Sequence, residues 1–313
     1  MSAPVSSTPG ADERVARVVG RIEEVIQGKS AVIEQALVAF LAGGHLLLED
    51  VPGVGKTTLA NALAGALGGA FSRIQFTSDM LPSDVIGVTF LDPESKQFSF
   101  RKGPLFGNVI LADEINRSPP KTQSALLEAM NERRVSSDGV THELPNPFMV
   151  IATQNPHEHS GTFLLPDSQL DRFLIRLSMG YPDRNSERAV LRAGGFRQKQ
   201  LMPALSEEEL SSLIRSVGEV EVHEAVEDHL LDLIDKTRND SRLLRGVSTR
   251  GAEALYRAIR ALAVVRGRTY CIPEDVREMA VPVLAHRVVP RADGKGADRQ
   301  AIEELLWEVP APV

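Results

Sequence analysis

Residues 45–69 read HLLLEDVPGVGKTTLANALAGALGG, and the succession of residue types in that stretch decides the fold. Leu46, Leu47 and Leu48 form an unbroken apolar run, which suits a strand covered on both faces. Gly53 and Gly55 then let the backbone curl with its N–H groups turned inward, the posture that grips phosphate oxygens. Lys56 supplies a positive charge for β- and γ-phosphates, and the Thr57 hydroxyl can ligate magnesium. Leu59, Ala62, Leu63, Ala66 and Leu67 follow at helical spacing until Gly68-Gly69, and the start of that helix adds a dipole favouring an anion. Pro52, Gly53, Val54, Gly55, Lys56, Thr57 and Thr58 are thus the candidate phosphate cradle. Asp50 stands where the general pattern has glycine, so the opening turn is expected to be less permissive. A chance glycine-rich turn is the bland alternative, and the strand–loop–helix context argues against it.

Two further apolar runs end in polar residues. Val109 to Ala112 ends in Asp113-Glu114, and Phe148 to Ala152 ends in Thr153-Gln154-Asn155. A carboxylate at a strand tip beside the cradle can hold the hydration shell of Mg²⁺, and the next one can orient or deprotonate a water. Asp113 is assigned to the metal and Glu114 to the water; alone, such a pair also reads as a solvated strand end. Asn155 would lie near the γ-phosphate, although Asn155-Pro156 also reads as the start of a turn. The expected ligands are ATP and Mg²⁺.

Ser72 to Phe76 and Phe173 to Leu177 are weaker strand candidates, and helical patterns separate most of the strands. Together they describe a doubly wound α/β domain, in which ligands sit at the carboxyl ends of the strands. Ahead of it, Val15, Val18, Ile22 and Val25 share a helical face that breaks at Gly28, and a second helix begins after Ser30, a plausible N-cap. After Tyr181-Pro182 the strand signal fades, and residues 205–217, 224–237, 249–265 and 273–286 read as helices. Ser206 with Glu209 forms a capping box, and Pro273 opens the last of them. The expected division is a flexible leader over 1–11, an α/β core over 12–181 and a helical domain over 182–313.

With 313 residues the chain exceeds what one hydrophobic core usually organises. A net charge of −7 argues against a non-specific nucleic-acid binder, and the single cysteine, Cys271, excludes an internal disulfide or a thiolate metal cluster. No apolar stretch reaches membrane-spanning length and the first residues have no signal-peptide pattern, so a cytoplasmic protein is expected.

The passages LLLEDVPGVGKTTLA, ILADEINRSPPKTQSALLEAMNERRV, FMVIATQNP, LPDSQLDRFLIR and GVSTRG, in this order, resemble the MoxR family of AAA+ ATPases, from about Asp12 to the end. The resemblance implies a five-stranded parallel sheet between helices and a C-terminal helical lid. It also implies sensor 1 at Asn155, an arginine finger at Arg172, a nucleotide-binding sensor 2 arginine at Arg250 and an interface position at Arg117. Thr249 stands where many relatives have proline, which leaves the start of that helix open. Bland readings remain: Arg172 as a surface charge paired with Asp171, and Arg117 and Arg250 as solvated charges.

Residues 79–103 and the turn at Ser136 to Gly139 read as hairpin insertions that face a pore or partner in relatives, or as ordinary loops. His157 and His159 lack the companions a metal site needs. The resemblance further implies a hexameric ring that hydrolyses Mg-ATP and remodels partners during maturation or metal-cofactor insertion. Those partners often carry a von Willebrand factor A domain. A nucleotide-gated scaffold with negligible hydrolysis and a magnesium-chelatase-like ATPase subunit are the competing readings; a DNA-directed ATPase and a metabolite kinase fit less well.

Overall fold

The computed structural model describes residues 12–94, 96–155, 162–192, 201–291, 294 and 296–312. The expected leader and the His157/His159 pair lie outside them. Five strands form one parallel sheet: β1 (Leu46–Glu49), β2 (Phe71–Gln75), β3 (Val109–Asp113), β4 (Met149–Gln154) and β5 (Ile175–Leu177). Their spatial order is β2-β3-β4-β1-β5, all neighbours parallel. Side chains alternate between two cores. Leu46, Leu48, Leu111 and Ile151 meet Leu59 and Leu63 on one face, whereas Leu47, Ile110, Ala112 and Val150 meet Leu126 and Met130 on the other. This two-sided burial is why β1, β3 and β4 read as unbroken apolar runs. At the sheet's edge β2 buries only Ile74 fully, which explains its weak signal. At the other edge β5 is shorter than expected, because Phe173 belongs to the turn closing on Leu170 rather than to the strand.

Both hairpins form. Gly87–Leu91 pairs with Phe98–Lys102, and Arg134–Ser137 pairs with Val140–Glu143 across Asp138-Gly139, both at positive φ as a two-residue hairpin turn requires. They touch each other: the Phe100 ring stacks on His142 at 4.0 Å between centroids, and the Thr89 and Ser137 hydroxyls stand 3.4 Å apart.

Helices Glu207–Glu219, Glu224–Asn239, Thr249–Val265, Pro273–Leu284 and Ala297–Glu308 make up most of the second half. The Ser206 capping box is present, with Glu209 N–H donating to Ser206 Oγ at 3.2 Å and Ser206 N–H to Glu209 Oε2 at 2.9 Å. Ser248 caps the helix that begins at Thr249, which settles a start left open by the missing proline. Two expectations are corrected. Ser30 is the first helical residue rather than its cap, and its hydroxyl donates to Glu23 instead. Ala297–Glu308 was not expected: only Ala301, Ile302 and Leu305 are buried on it, too narrow a stripe to read. Among the described residues no helix is long and apolar enough to cross a membrane.

His45 ties the sheet to the helix Pro120–Glu132. Its Nδ1 accepts from Val150 N–H at 3.0 Å and its Nε2 faces the Met130 carbonyl at 3.0 Å, which fixes a neutral ring with the proton on Nε2. Burial pushes its pKa down to about 4, opposed by the Met130 carbonyl and helped by Arg133 and Arg257. The folded pKa lies below the unfolded value, so the unfolded chain binds the extra proton between them. This contribution to stability is present above pH 6.5 and is lost as pH falls towards 4, by about 3 kcal/mol. Imidazole NMR should show His45 neutral at pH 5; a midpoint near 6.5 would contradict this assignment.

Candidate functional site

β1 delivers the chain to Asp50, whose role differs from the expected weak substitute for glycine. Its carboxylate Oδ2 is buried and accepts from Ser178 Oγ at 3.0 Å, Gly180 N–H at 2.9 Å and Met179 N–H. Lys29 Nζ holds the opposite side of that segment, donating to the carbonyls of Met179 at 2.5 Å and Tyr181 at 2.7 Å. The opening of the loop is thus fastened to the stretch that leads from the sheet to the helical half. Hydrogen bonds to a charged acceptor contribute about 1.5–3 kcal/mol each, with partial compensation by water when lost. Asp50→Gly, which restores the general pattern, is therefore expected to cost about 3 kcal/mol in urea unfolding; an unchanged midpoint would contradict the anchor role.

Beyond Asp50 the loop is built for close approach of an anion. Gly53 (φ 84) and Gly55 (φ 97) occupy the left-handed region, and an added Cβ at Gly53 would meet no atom within 4 Å, so conformation rather than crowding demands glycine there. Val54 is buried and pins the loop, while Pro52 and Gly53 are exposed. Lys56, Thr57 and Thr58 form the first turn of the helix Lys56–Ala66, where backbone N–H groups have no helical partner. Lys56 Nζ donates to the Asp50 carbonyl at 2.9 Å and to that of Val51 at 3.4 Å. Partial burial holds its pKa below the ordinary value, against the pull of Asp113, Asp50 and Glu114.

The acidic tip of β3 lies at the same end of the sheet. Asp113 Oδ1 accepts from the Thr153 hydroxyl at 2.7 Å, which in turn accepts from Glu114 N–H at 2.9 Å. Asp113 Oδ2 pairs with Arg73 at 2.7 Å. Glu114 turns out of the strand at φ 57, and its Oε2 accepts from Gln75 Nε2 and Arg117 Nη1, both at 3.0 Å. Arg117, expected at an interface, also pairs with Glu114 within its own subunit. Arg73 and Gln75 were not singled out from sequence; the register that sets Gln75 beside Asp113 is what brings them in. Asn155 follows β4 directly and is half-buried at the same end.

The donor set fits magnesium. Both Asp113 oxygens already carry hydrogen bonds, so a hard cation that keeps its waters would fit them, with the Thr57 hydroxyl as a further oxygen donor. Among the described residues no group of three or more His, Cys, Asp or Glu side chains forms a metal cluster of its own.

Arg172 and Arg250 are not brought to the loop. They line a cavity of about 140 Å³ with Gly43, Gly44, His45 and Leu174, residues that precede β1 and β5 and so mark the N-terminal edge of the sheet. The four residues of β1 alone separate the two ends by roughly 13 Å. Arg172 Nη1 donates to the Leu127 carbonyl at 2.6 Å, and its buried Nε has no partner among the described residues. Asp171 does not pair with it: its carboxylate is taken by Arg287 at 2.7 Å and lies 3.9 Å from Arg250. Buried Arg287 also donates to the carbonyls of Asp171, Phe173 and Leu174, so the segment bearing Arg172 is clamped from the helical half.

Comparison with known proteins bears on the family and the fold. Residues 45–175 match the ATPase family associated with various cellular activities (AAA), and residues 235–305 match the AAA lid domain. The chain is 45% identical over 305 residues to the uncharacterized protein YeaC of Bacillus subtilis, covering 95% of this chain and 94% of that protein. It is 42% identical to Chaperone MoxR1 of Mycobacterium tuberculosis, covering 87% of this chain and 75% of that one. A crystal structure from Cytophaga hutchinsonii, provisionally classed as an ATPase, superposes with a TM-score of 0.88 at 37% identity over 96% of both chains. Identity at this level over most of each length carries the family with it: the chain belongs to the MoxR family of AAA+ ATPases.

Proposed function

We propose that the protein binds Mg-ATP in the loop Pro52–Thr58 and hydrolyses it in a ring, taken as a hexamer, acting as a chaperone-like remodeller. The observation that carries this reading is the split site: Lys56, Asp113 and Glu114 occupy one end of the sheet, Arg172 and Arg250 the other. One chain cannot apply both sets to one triphosphate, whereas neighbours in a closed head-to-tail ring can.

In this reading Lys56 and the backbone N–H groups of Gly53 to Thr58 hold the β- and γ-phosphates. Glu114 takes a proton from a water whose oxygen bonds to the γ-phosphorus; the bond to the β–γ bridging oxygen breaks and ADP departs with that electron pair. Asn155 orients the γ-phosphate, and Arg172 and Arg250 of the adjacent subunit neutralise charge on the transferring group. Thr57 and Asp113 would hold Mg²⁺, which would polarise the phosphate oxygens when bound. Because Arg172 acts on the neighbour's nucleotide, an isolated subunit is expected to hydrolyse poorly.

Residues 12–181 serve as the ATPase core and 182–313 as the lid, and the two hairpins present the client-facing surface. The family resemblance alone points to a partner bearing a von Willebrand factor A domain, in maturation or metal-cofactor insertion in the cytoplasm; the relative named Chaperone MoxR1 supports the remodelling role only. Specific turnover should rise with protein concentration and level off as sedimentation shows the ring assembled. A turnover per subunit independent of concentration would refute a site shared between subunits.

A further inference from the structure

The cavity at the N-terminal edge of the sheet holds more positive charge than the two family-matched arginines explain. Five guanidinium groups line it, those of Arg133, Arg172, Arg250, Arg257 and Arg287, against the single carboxylate of Asp171. Arg287 takes that carboxylate at 2.7 Å, Arg250 reaches it only at 3.9 Å and Arg257 stands 4.0 Å from Glu253, so the wall keeps an excess of positive charge.

Among the described residues, two of the five are held locally by weak contacts only, Arg133 by the Gly43 carbonyl and Arg257 by Glu253. Arg133 caps the helix Pro120–Glu132 at φ 53, a left-handed position that favours glycine, yet it carries a long side chain that reaches back to donate to the Gly43 carbonyl at 3.0 Å. Arg257 lies seven residues after Arg250, two turns along the same face of the helix Thr249–Val265, and its acidic neighbour Glu253 is 4.0 Å away. Partial burial and the charges of Arg133 and Arg250 hold the Arg257 guanidinium below its ordinary pKa, despite Glu253. Like charges gathered in a semi-enclosed space repel until an anion enters, and guanidinium forks match phosphate oxygens in pairs.

We infer that Arg133 and Arg257 complete, with Arg172 and Arg250, a four-guanidinium receptor for a phosphate oxyanion, namely the terminal phosphate of nucleotide held in the loop of the adjacent subunit. The inference rests on the shared-site reading above and extends it to two residues. The receptor spans both halves of the chain, Arg133 and Arg172 from the sheet-bearing half and Arg250 and Arg257 from one helix of the other. Grip on the neighbour's phosphate therefore fixes the angle between the halves.

The test is the double variant Arg133→Met/Arg257→Met of the full chain. Turnover of the assembled protein is expected to fall about 10- to 100-fold, as for loss of charged hydrogen bonds to a transition state. Nucleotide affinity of the diluted subunit and sedimentation of the ring should match wild type. The pair Arg133→Lys/Arg257→Lys, which keeps the charges and the fold, should retain an intermediate turnover. Wild-type turnover in both double variants, where Arg172→Ala is defective, would overturn this inference alone. Wild-type turnover in Arg172→Ala as well would overturn the shared site itself. Inorganic phosphate is the remaining arm: if it raises the Tm of the isolated wild-type subunit but not of the Met pair, the cluster serves free anions, and the link between subunits is wrong.

Discussion

Replacing Glu114 with glutamine is expected to cut ATP turnover by about 10²- to 10⁴-fold while nucleotide stays bound, the range that loss of a general base produces. Glutamine preserves the shape of the side chain, so contacts around Thr153 and the turn at φ 57 survive. It cannot accept a proton from water, and it exchanges a charged partner of Arg117 for a neutral one. That ion pair is half-exposed and contributes little to stability, so the fold should be unaffected. The expected product is a ring that retains ATP. Turnover by phosphate release and retained nucleotide after gel filtration measure the two halves of the prediction, and undiminished phosphate release would remove Glu114 from the mechanism.

Arg172→Ala is expected to lower turnover still further, by about 10³- to 10⁵-fold, the effect of losing an arginine finger. Removing the side chain gives up one hydrogen bond, to the Leu127 carbonyl, worth about 1 kcal/mol. A collapse of the fold is therefore not the expected cause. Arg172→Lys should recover little, because an ammonium cannot make the paired contacts of a guanidinium fork. Nucleotide affinity of the isolated subunit should remain that of wild type, since Arg172 lies at the far end of the sheet from Lys56. A loss smaller than about tenfold would contradict the finger role.

What was legible in the sequence follows from how local each signal is. The phosphate loop reads directly because the glycines at positive φ, Lys56 and the helix start are consecutive residues. β1, β3 and β4 read clearly because the interior of a parallel sheet is apolar on both faces, whereas β2 and β5 lose that signal at its edges. The anchoring role of Asp50 was not legible because its partners lie 128 to 130 residues away, and no local pattern reveals an anchor to Ser178, Met179 and Gly180. Gln75 and Arg73 gain meaning only once β2 is known to lie beside β3 in the register Gln75 to Asp113. Family resemblance marked Arg172 and Arg250, but only the fold places them together, away from their own loop and beside Arg133 and Arg257.

The claim that matters most is that each ATP site is built from two subunits, and mixing inactive variants tests it most directly. Lys56→Ala removes the grip on phosphate but leaves every arginine; Arg172→Ala does the reverse. Each alone should be nearly inactive. Mixed in equal amounts and allowed to exchange, they should regain turnover, because an intact loop from one variant then faces an intact Arg172 from the other. If the mixture stays as inactive as its components while sedimentation shows mixed rings, loop and arginine act within one chain, and the account is wrong.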